Sequence, residues 1–133
     1  MAEVSQKKRI WGWWFFDWAS QPYHTLLVTF VFGPFFAAVA ADYFLGKGLS
    51  EAAAEAQAQT VWSIGMTVTG LFIGFGAPFL GALADISGRK MPWIMVFSMM
   101  YLIGAWGLWY MDPAGGNLWL MLLSFGFGFI GAE

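Results

Sequence analysis

The chain has 133 residues, of which 59% are hydrophobic and 11% are charged, and it contains 9 Trp and 14 Phe. A soluble domain of this size does not need so much apolar surface, so the composition predicts an integral membrane protein. The formal net charge is only -2, and cysteine is absent, which excludes a disulfide framework, thiolate metal sites and cysteine catalysis. We predict no enzymatic chemistry, no cofactor, no metal site and no nucleic-acid partner.

Four apolar segments follow the basic residues Lys7, Lys8 and Arg9, and they predict an all-α transmembrane fold. The segments cover about residues 14–41, 60–84, 93–110 and 118–133, after a cytoplasmic segment at 1–13. Each of the first three is long enough to cross a hydrocarbon core of about 30 Å at about 1.5 Å per residue. Residues 14–133 are therefore expected to form a partial transmembrane domain in a lipid bilayer.

The positions of the basic residues predict the orientation of these segments. Five of the six Lys and Arg residues precede the first segment or lie between the second and the third, and Lys47 alone lies on the other side. Cytoplasmic loops carry an excess of Lys and Arg. The N-terminus is therefore expected in the cytoplasm, and residues 42–59 and 112–117 are expected outside.

The first apolar segment carries polar residues that a membrane helix normally avoids. At about 100° per residue, Asp17, Ser20, Gln21 and His24 fall within about 100° of one another and form one polar stripe. Pro22 lies in the same stripe, and transporter sites are often built where proline interrupts a helix. We interpret the four residues as candidates for binding a solute or a proton. Two alternatives remain: His24 bonds a neighbouring helix, and Asp17 caps the helix or pairs at the interface.

A cleaved signal peptide is a rival interpretation of the N-terminus. Lys7 to Arg9, the apolar run and Ala38-Val39-Ala40 imitate the three parts of such a peptide. The stretch is longer than the usual 15–30 residues and holds an Asp, a Gln and a His within or beside its apolar run, which argues against cleavage.

The second apolar segment has a face of small and hydroxyl-bearing residues, preceded by a helix-forming stretch. Residues 49–59 are rich in helix formers after Ser50, and we expect a short surface helix there that leads into the second segment. The face lies within about 80° of the helix circumference and comprises Thr60, Ser63, Thr67, Gly70, Gly74 and Gly81. Gly70 and Gly74 predict close helix packing in lipid. The alternative to a packing face is that Ser63 and Thr67 border a cavity.

A charged turn separates the second and third segments. Asp85 stands where the preceding helix should end, which is unfavourable because that end carries partial negative charge. Arg89 is near enough in sequence to fold back onto Asp85, and Gly88 permits the positive φ of a tight reversal. An ordinary cytoplasmic loop rich in positive charge is the alternative interpretation.

The loop and the first segment together resemble a transporter family. Gly81, Asp85, Gly88, Arg89 and Lys90 fit the loop between helices two and three of the major facilitator superfamily, although Ile86 stands where that family usually has a basic residue. The first segment is similar to that of bacterial permeases related to fungal vacuolar amino-acid effluxers. Its matching residues are Asp17, Trp18, Ala19, Ser20, Pro34 and Phe36.

This resemblance implies a fold and a function. It implies the first three helices and part of the fourth of a major-facilitator-type bundle, in which two halves rock about a central solute site. The charged turn would then be a latch that holds one face closed. The expected protein is a secondary-active permease of the bacterial inner membrane for a small polar solute, with amino acids as one candidate class.

The fourth segment ends after about fifteen residues, short of a full span. We therefore expect a truncated chain whose partners include the missing C-terminal helices of the same protein. A small integral-membrane subunit or assembly protein, packing through its glycine-rich helix faces, is the alternative from another functional class.

Overall fold

A computed structural model describes residues 5–133, apart from the side chains of Ser20 and His24. The regular structure within these residues is entirely helical, which confirms the predicted all-α class. Its elements are α1 (Gln6–Pro22), a π-helix (Tyr23–Phe32), α2 (Gly33–Gly46), α3 (Glu51–Ser87), α4 (Lys90–Leu108) and α5 (Leu118–Ala132). Three stretches are long and apolar enough to cross a membrane, namely Thr25–Gly46, Glu51–Ser87 and Lys90–Leu108.

The first helix runs without a break from Gln6 to Gly46, but its hydrogen-bond pattern changes along its length. The middle 10 residues, Tyr23–Phe32, form the π-helix. This segment follows Pro22, and Pro34 stands just after its end. A proline has no backbone N–H and cannot complete the regular hydrogen-bond series, so changes of helix type near prolines are expected.

The predicted surface helix and the predicted second span are one continuous helix, α3, of 37 residues. The predicted helix in residues 49–59 is thus present from Glu51, and it leads into the second span without a break. The physical reason is that neither glycine nor proline stands between Glu51 and Ile64, so nothing in this stretch ends a helix once it has begun. Ala54 and Ala58 are buried rather than exposed, because α2 packs against this end of α3.

An aromatic cluster joins the first helix, α3 and α5. Phe32 and Phe125 stack with ring centroids 4.4 Å apart, and both side chains are fully buried. Trp62 of α3 lies 5.9 Å from the Phe32 ring and 5.6 Å from the Phe125 ring. Phe36 also contacts Trp62, at 5.5 Å. Each aromatic pair contributes about 0.5–1.5 kcal/mol beyond the burial of its area, so this cluster stabilises the contact of all three helices.

Glycine allows α4 to lie directly against α5. A Cβ atom added to Gly104 would meet the backbone of Gly128, and one added to Gly107 would lie 2.9 Å from the Cβ of Ser124. At Gly131 an added Cβ would lie 2.6 Å from the backbone nitrogen of Tyr101. Small residues permit this close approach of two helix backbones in lipid.

The glycines predicted to pack, Gly70 and Gly74, are not the ones that the described bundle uses. A Cβ atom added at either position meets open space. The periodicity of α3 identified their shared face correctly, but α2 and α5 pack on the other side of this helix, at Ala58, Gly65 and Thr69. The predicted packing role of Gly70 and Gly74 is therefore not realised within residues 5–133.

The turn between α4 and α5 is held by its own polar side chains. The Asp112 carboxylate accepts hydrogen bonds from the backbone N–H groups of Ala114, at 3.0 Å, and Gly116, at 3.2 Å. Gly115 has a φ of 76° and lies against the side chain of Tyr43 at the end of α2. The ammonium group of Lys47 lies 4.4 Å from the centre of the same Tyr43 ring. These contacts connect the end of the first helix with the α4–α5 turn.

We predict that Gly128→Val destabilises the protein by about 1–3 kcal/mol, because the new methyl groups have no space between α5, α4 and Tyr23. Gly70→Val is the matched control, since it adds the same atoms to a position facing open space. The free energy of unfolding in mixed micelles of increasing denaturing detergent measures the difference. Equal losses in the two variants would contradict the described α4–α5 contact.

Candidate functional site

The predicted polar stripe lies on the last turns of α1 and the start of the π-helix. Asp17 and Gln21 are both exposed on α1, four residues apart and therefore on neighbouring turns of one face. The side chains of Ser20 and His24 lie outside the described part of the chain. The stripe therefore has two positions whose exposure is described, and its role in binding stays a prediction.

Tyr23 is a functional candidate that sequence reasoning missed. It directly follows Pro22, yet its side chain points into the bundle and is only 2% exposed. Its hydroxyl group donates a hydrogen bond to the Phe125 carbonyl oxygen of α5 at 2.8 Å. Its ring lies 4.9 Å from the ring of Tyr101 on α4. A hydroxyl group inside an apolar bundle needs an acceptor, and a tyrosine next to a proline in the stripe was the available signal.

Tyr23 also depends on a glycine of α5. A Cβ atom at Gly128 would overlap the Tyr23 hydroxyl group. Gly128 thus provides the space for this hydroxyl, and the Phe125 carbonyl accepts from it with a second lone pair, beyond the one used in its own helix. The π-helix therefore begins at a residue that is fixed by α5 and adjacent to α4.

Helix α3 has two opposite faces with different chemistry. Ala58, Trp62 and Thr69 lie on the face that packs against the other helices. At about 100° per residue, the other face is on the opposite side and is exposed at every position. It comprises Gln59, Ser63, Thr67, Gly70, Gly74 and Gly81. We call these six residues the polar face of α3.

The polar face of α3 forms an open concave surface at one end. The Gln59 side-chain amide donates to the Ser63 hydroxyl oxygen at 3.4 Å, so these neighbouring polar groups are connected. Together with Thr60, Thr67 and the apolar side chains of Ile64 and Val68 they line a shallow, mostly apolar depression of about 380 Å³. Of the residues described, none outside α3 lines it. The Thr60 hydroxyl donates to the Ala56 carbonyl oxygen of the same helix at 2.8 Å, whereas the Gln59 amide keeps polar atoms that are costly against lipid, so water or protein opposite this surface is favourable.

The turn between α3 and α4 is closed by a left-handed glycine and one ion pair. Gly88 has a φ of 61°, and its backbone N–H donates to the Asp85 carbonyl oxygen at 3.2 Å. The ammonium group of Lys90 lies 3.6 Å from the Asp85 carboxylate, and both side chains are about three-quarters exposed. The prediction that Gly88 provides the reversal is confirmed, and the cation that pairs with Asp85 is Lys90 rather than Arg89.

Arg89 contributes to this turn through its backbone. Its N–H group donates to the Ser87 hydroxyl oxygen at 3.3 Å, and the Trp93 indole N–H donates to the same oxygen at 3.4 Å. The Ser87 hydroxyl in turn donates to the Ala84 carbonyl oxygen at 2.8 Å. Ser87 thus links the end of α3 to the beginning of α4, which the family pattern did not indicate.

Gly81, which belongs to the same predicted latch, borders an open apolar groove, and no described helix packs against it. A Cβ atom added at Gly81 meets open space. The groove has a volume of about 360 Å³ and lies between α3, the first half of α4 and the end of α5, with Phe16 of α1 on its rim. Close approach of another helix at Gly81 therefore does not occur within the described residues.

The described residues contain no group of three His, Asp or Glu side chains placed to share a metal ion. The chain matches no protein-family model, no curated protein and no solved structure. The functional assignment therefore depends on the helices and faces described above.

We predict that Tyr23→Phe lowers the free energy of unfolding by about 1 kcal/mol, because it removes one buried hydrogen bond while keeping the ring. Tyr110→Phe removes the same hydroxyl group from a side chain that is 58% exposed and serves as the control. Detergent-dependent unfolding followed by circular dichroism measures both. A loss no larger than that of the control would show that the Tyr23 hydroxyl does not stabilise the contact with α5.

We predict that two substitutions in the α3–α4 turn destabilise the protein to different extents. Gly88→Ala should cost about 1 kcal/mol, since any side chain is strained at positive φ. Asp85→Asn should cost less than about 1 kcal/mol, because exposed ion pairs contribute little to stability. Unfolding in the same detergent series distinguishes them, and a larger loss for Asp85→Asn than for Gly88→Ala would contradict this description of the turn.

Proposed function

We propose that this chain is part of a secondary-active transporter of the major facilitator type, which moves a small polar solute across a bacterial inner membrane. The observation that carries the proposal is the polar face of α3. Three helices of the chain are long and apolar enough to cross a membrane, and α3 directs Gln59, Ser63 and Thr67 away from the described core. A water-filled cavity opposite this face would satisfy these groups without exposing them to lipid.

The stripe on the first helix is the second polar wall of the proposal, and it lies at another depth: its neighbour Phe16 borders the part of α3 around Phe72 and Gly76, whereas Ser63 and Thr67 lie nearer the start of α3. Asp17 supplies a carboxylate and Gln21 an amide, and Ser20 and His24 belong to the stripe by their positions in the sequence. A carboxylate suits an ammonium group, whereas an amide both donates and accepts hydrogen bonds. This combination fits an amino acid or a similar small zwitterion, which is the solute class that we propose.

The turn between α3 and α4 supports a switching role. Its ion pair between Asp85 and Lys90 is exposed, and exposed pairs are typically worth about 0–1 kcal/mol, so the pair opens at little cost. Gly81 borders a groove with open space at its Cβ position, which leaves room for another element to approach. In the proposed mechanism this turn contacts further helices of the same protein in one state and releases them in the other.

A second candidate function is favoured by one specific observation. Gly70 and Gly74 are four residues apart with open space at both Cβ positions, which is the arrangement of a helix-pairing face. A small membrane subunit that assembles through this face would bury it against another α3 or against a larger partner. The two functions differ in what lies opposite Thr67, which is water in a transporter and protein in an assembly subunit.

Single cysteines introduced into residues 1–133 test the proposal directly, because these residues contain none. We predict that Thr67→Cys in native membrane vesicles reacts rapidly with a charged, membrane-impermeant thiol reagent, and that excess amino acid slows the reaction. The reason is that the reactive species is the thiolate, which needs a hydrated environment. The labelled fraction is measured by mass spectrometry of the purified protein.

Phe75→Cys is the matched control, since Phe75 is 79% exposed on α3 but lies outside its polar face. The reagent should leave this lipid-facing position largely unmodified. Equal protection of positions 67 and 75, together with cross-linking of Gly70→Cys between two copies, would refute the cavity and establish the assembly function. Uptake of labelled amino acids that is unchanged in Asp17→Asn and Gln21→Ala would refute the proposed binding wall.

A further inference from the structure

The first turns of α1, from Gln6 to Trp18, form an exposed segment with an unusual composition. We call it the basic aromatic segment. Within the described residues, α1 continues directly into the π-helix and has few backbone contacts with the other helices, although Phe16 borders the groove between α3, α4 and α5. The six large aromatic side chains of the segment are each more than half exposed, from 51% for Phe16 to 68% for Trp18. They are Trp11, Trp13, Trp14, Phe15, Phe16 and Trp18.

The aromatic residues surround the helix instead of forming one face. They occur at nearly every position from 11 to 18, and consecutive residues are about 100° apart. An amphipathic helix that lies flat on a bilayer has one polar side, which this segment lacks. A helix that enters the bilayer along its axis has aromatic groups on all sides at the interfacial depth, as observed here.

The charges of the segment are separated from its aromatic groups along the helix axis. Lys7, Lys8 and Arg9 are consecutive and exposed, so their side chains leave the helix in three different directions. The next acidic residue along the chain is Asp17, about two turns later. Glu3 lies outside the described residues. The first turns of α1 therefore present concentrated positive charge, which is complementary to the phosphates of anionic lipids.

The order of groups along α1 matches the order of layers in a bilayer leaflet. Cations come first, aromatic rings follow, and the apolar stretch Thr25–Gly46 comes later. From Arg9 to Trp14 the helix rises about 7.5 Å, which is comparable with the roughly 5–7 Å of polar headgroup region on each side of the hydrocarbon core. Tryptophan prefers this layer because its ring is apolar and its N–H donates hydrogen bonds.

We propose that the basic aromatic segment binds the headgroups of anionic phospholipids such as phosphatidylglycerol. Lys7, Lys8 and Arg9 contact the phosphates, and the tryptophans rest at the level of the ester carbonyl groups. This binding sets the depth of α1 in the membrane, and through the continuous helix it sets the depth of Asp17 and Gln21. The interaction does not depend on the proposed transport function, because it requires only that the chain is inserted in a bilayer.

Native mass spectrometry of the whole protein in neutral detergent measures this interaction with added phosphatidylglycerol or phosphatidylcholine. The wild-type protein should bind phosphatidylglycerol more tightly than phosphatidylcholine. Each neutralised basic residue should weaken the binding of phosphatidylglycerol about fivefold, and the variant Lys7→Gln, Lys8→Gln, Arg9→Gln should lose the preference. Lys47→Gln is the control for Lys8→Gln, since it removes one cation at the opposite end of the first helix.

A depth measurement covers the case in which the triple variant does not fold. Gly12 has open space at its Cβ position, so a spin label on Gly12→Cys reports the surroundings of the segment without disturbing contacts. In bilayers containing phosphatidylglycerol the label should lie at headgroup depth, and high salt should shift it toward water. Equal affinity for the two lipids overturns the proposal, as does a label that stays in water regardless of lipid charge. The latter result would indicate a protein partner in the cytoplasm. None of these measurements depends on solute transport, so the two proposals fail separately.

Discussion

The contact between the first helix and α5 is the interaction on which the rest of the structure depends. Phe32 stacks on Phe125, and the Tyr23 hydroxyl group donates to the Phe125 carbonyl oxygen, so one residue of α5 receives both an aromatic and a polar contact. Helix α4 is attached mainly to α5 through glycines, and α3 reaches the same cluster through Trp62. Loss of this contact would leave α5, and α4 with it, connected to the first helix mainly through α3, which packs against both.

This arrangement explains why α3 keeps a polar face. The first helix and α5 both approach α3 from the side of Trp62, Gly65 and Thr69, so the polar face has no described neighbour except near Gly81, which borders the groove between α3, α4 and α5. Thr69 lies on the packed side, and its hydroxyl group donates to the Gly65 carbonyl oxygen within the same helix, at 2.9 Å. A hydroxyl that is satisfied in this way tolerates an apolar core. The residues on the exposed side instead combine hydroxyls with glycines, which is a suitable composition for a wet or mobile boundary.

The sequence predicted most of what depends on local chemistry. Apolar segments gave the helices, and Gly88 was identified as the left-handed residue of the α3–α4 turn. Features that depend on a partner were harder to predict, because a helical wheel shows which residues share a face but not what the face contacts. Gly104 and Gly128 pack backbone against backbone, while the similar pair Gly70 and Gly74 faces open space. The position of Tyr23 beside Pro22 marked it as unusual, but its role required knowing that α5 places the Phe125 carbonyl group beside it.

The π-helix changes the angle about the helix axis between the side chains of α1 and those of α2. Its hydrogen bonds join each residue to the fifth one after it, so every turn holds an extra residue compared with an α-helix. The directions of side chains in α1 and α2 are therefore related through Tyr23–Phe32, and they do not follow one regular wheel from Gln6 to Gly46. One residue more or fewer in this segment would rotate the Asp17 and Gln21 side by roughly a quarter turn about the axis, while Phe36 and Val39 stayed in the core. The spacing inside the π-helix thus sets the direction in which the polar end of the helix points.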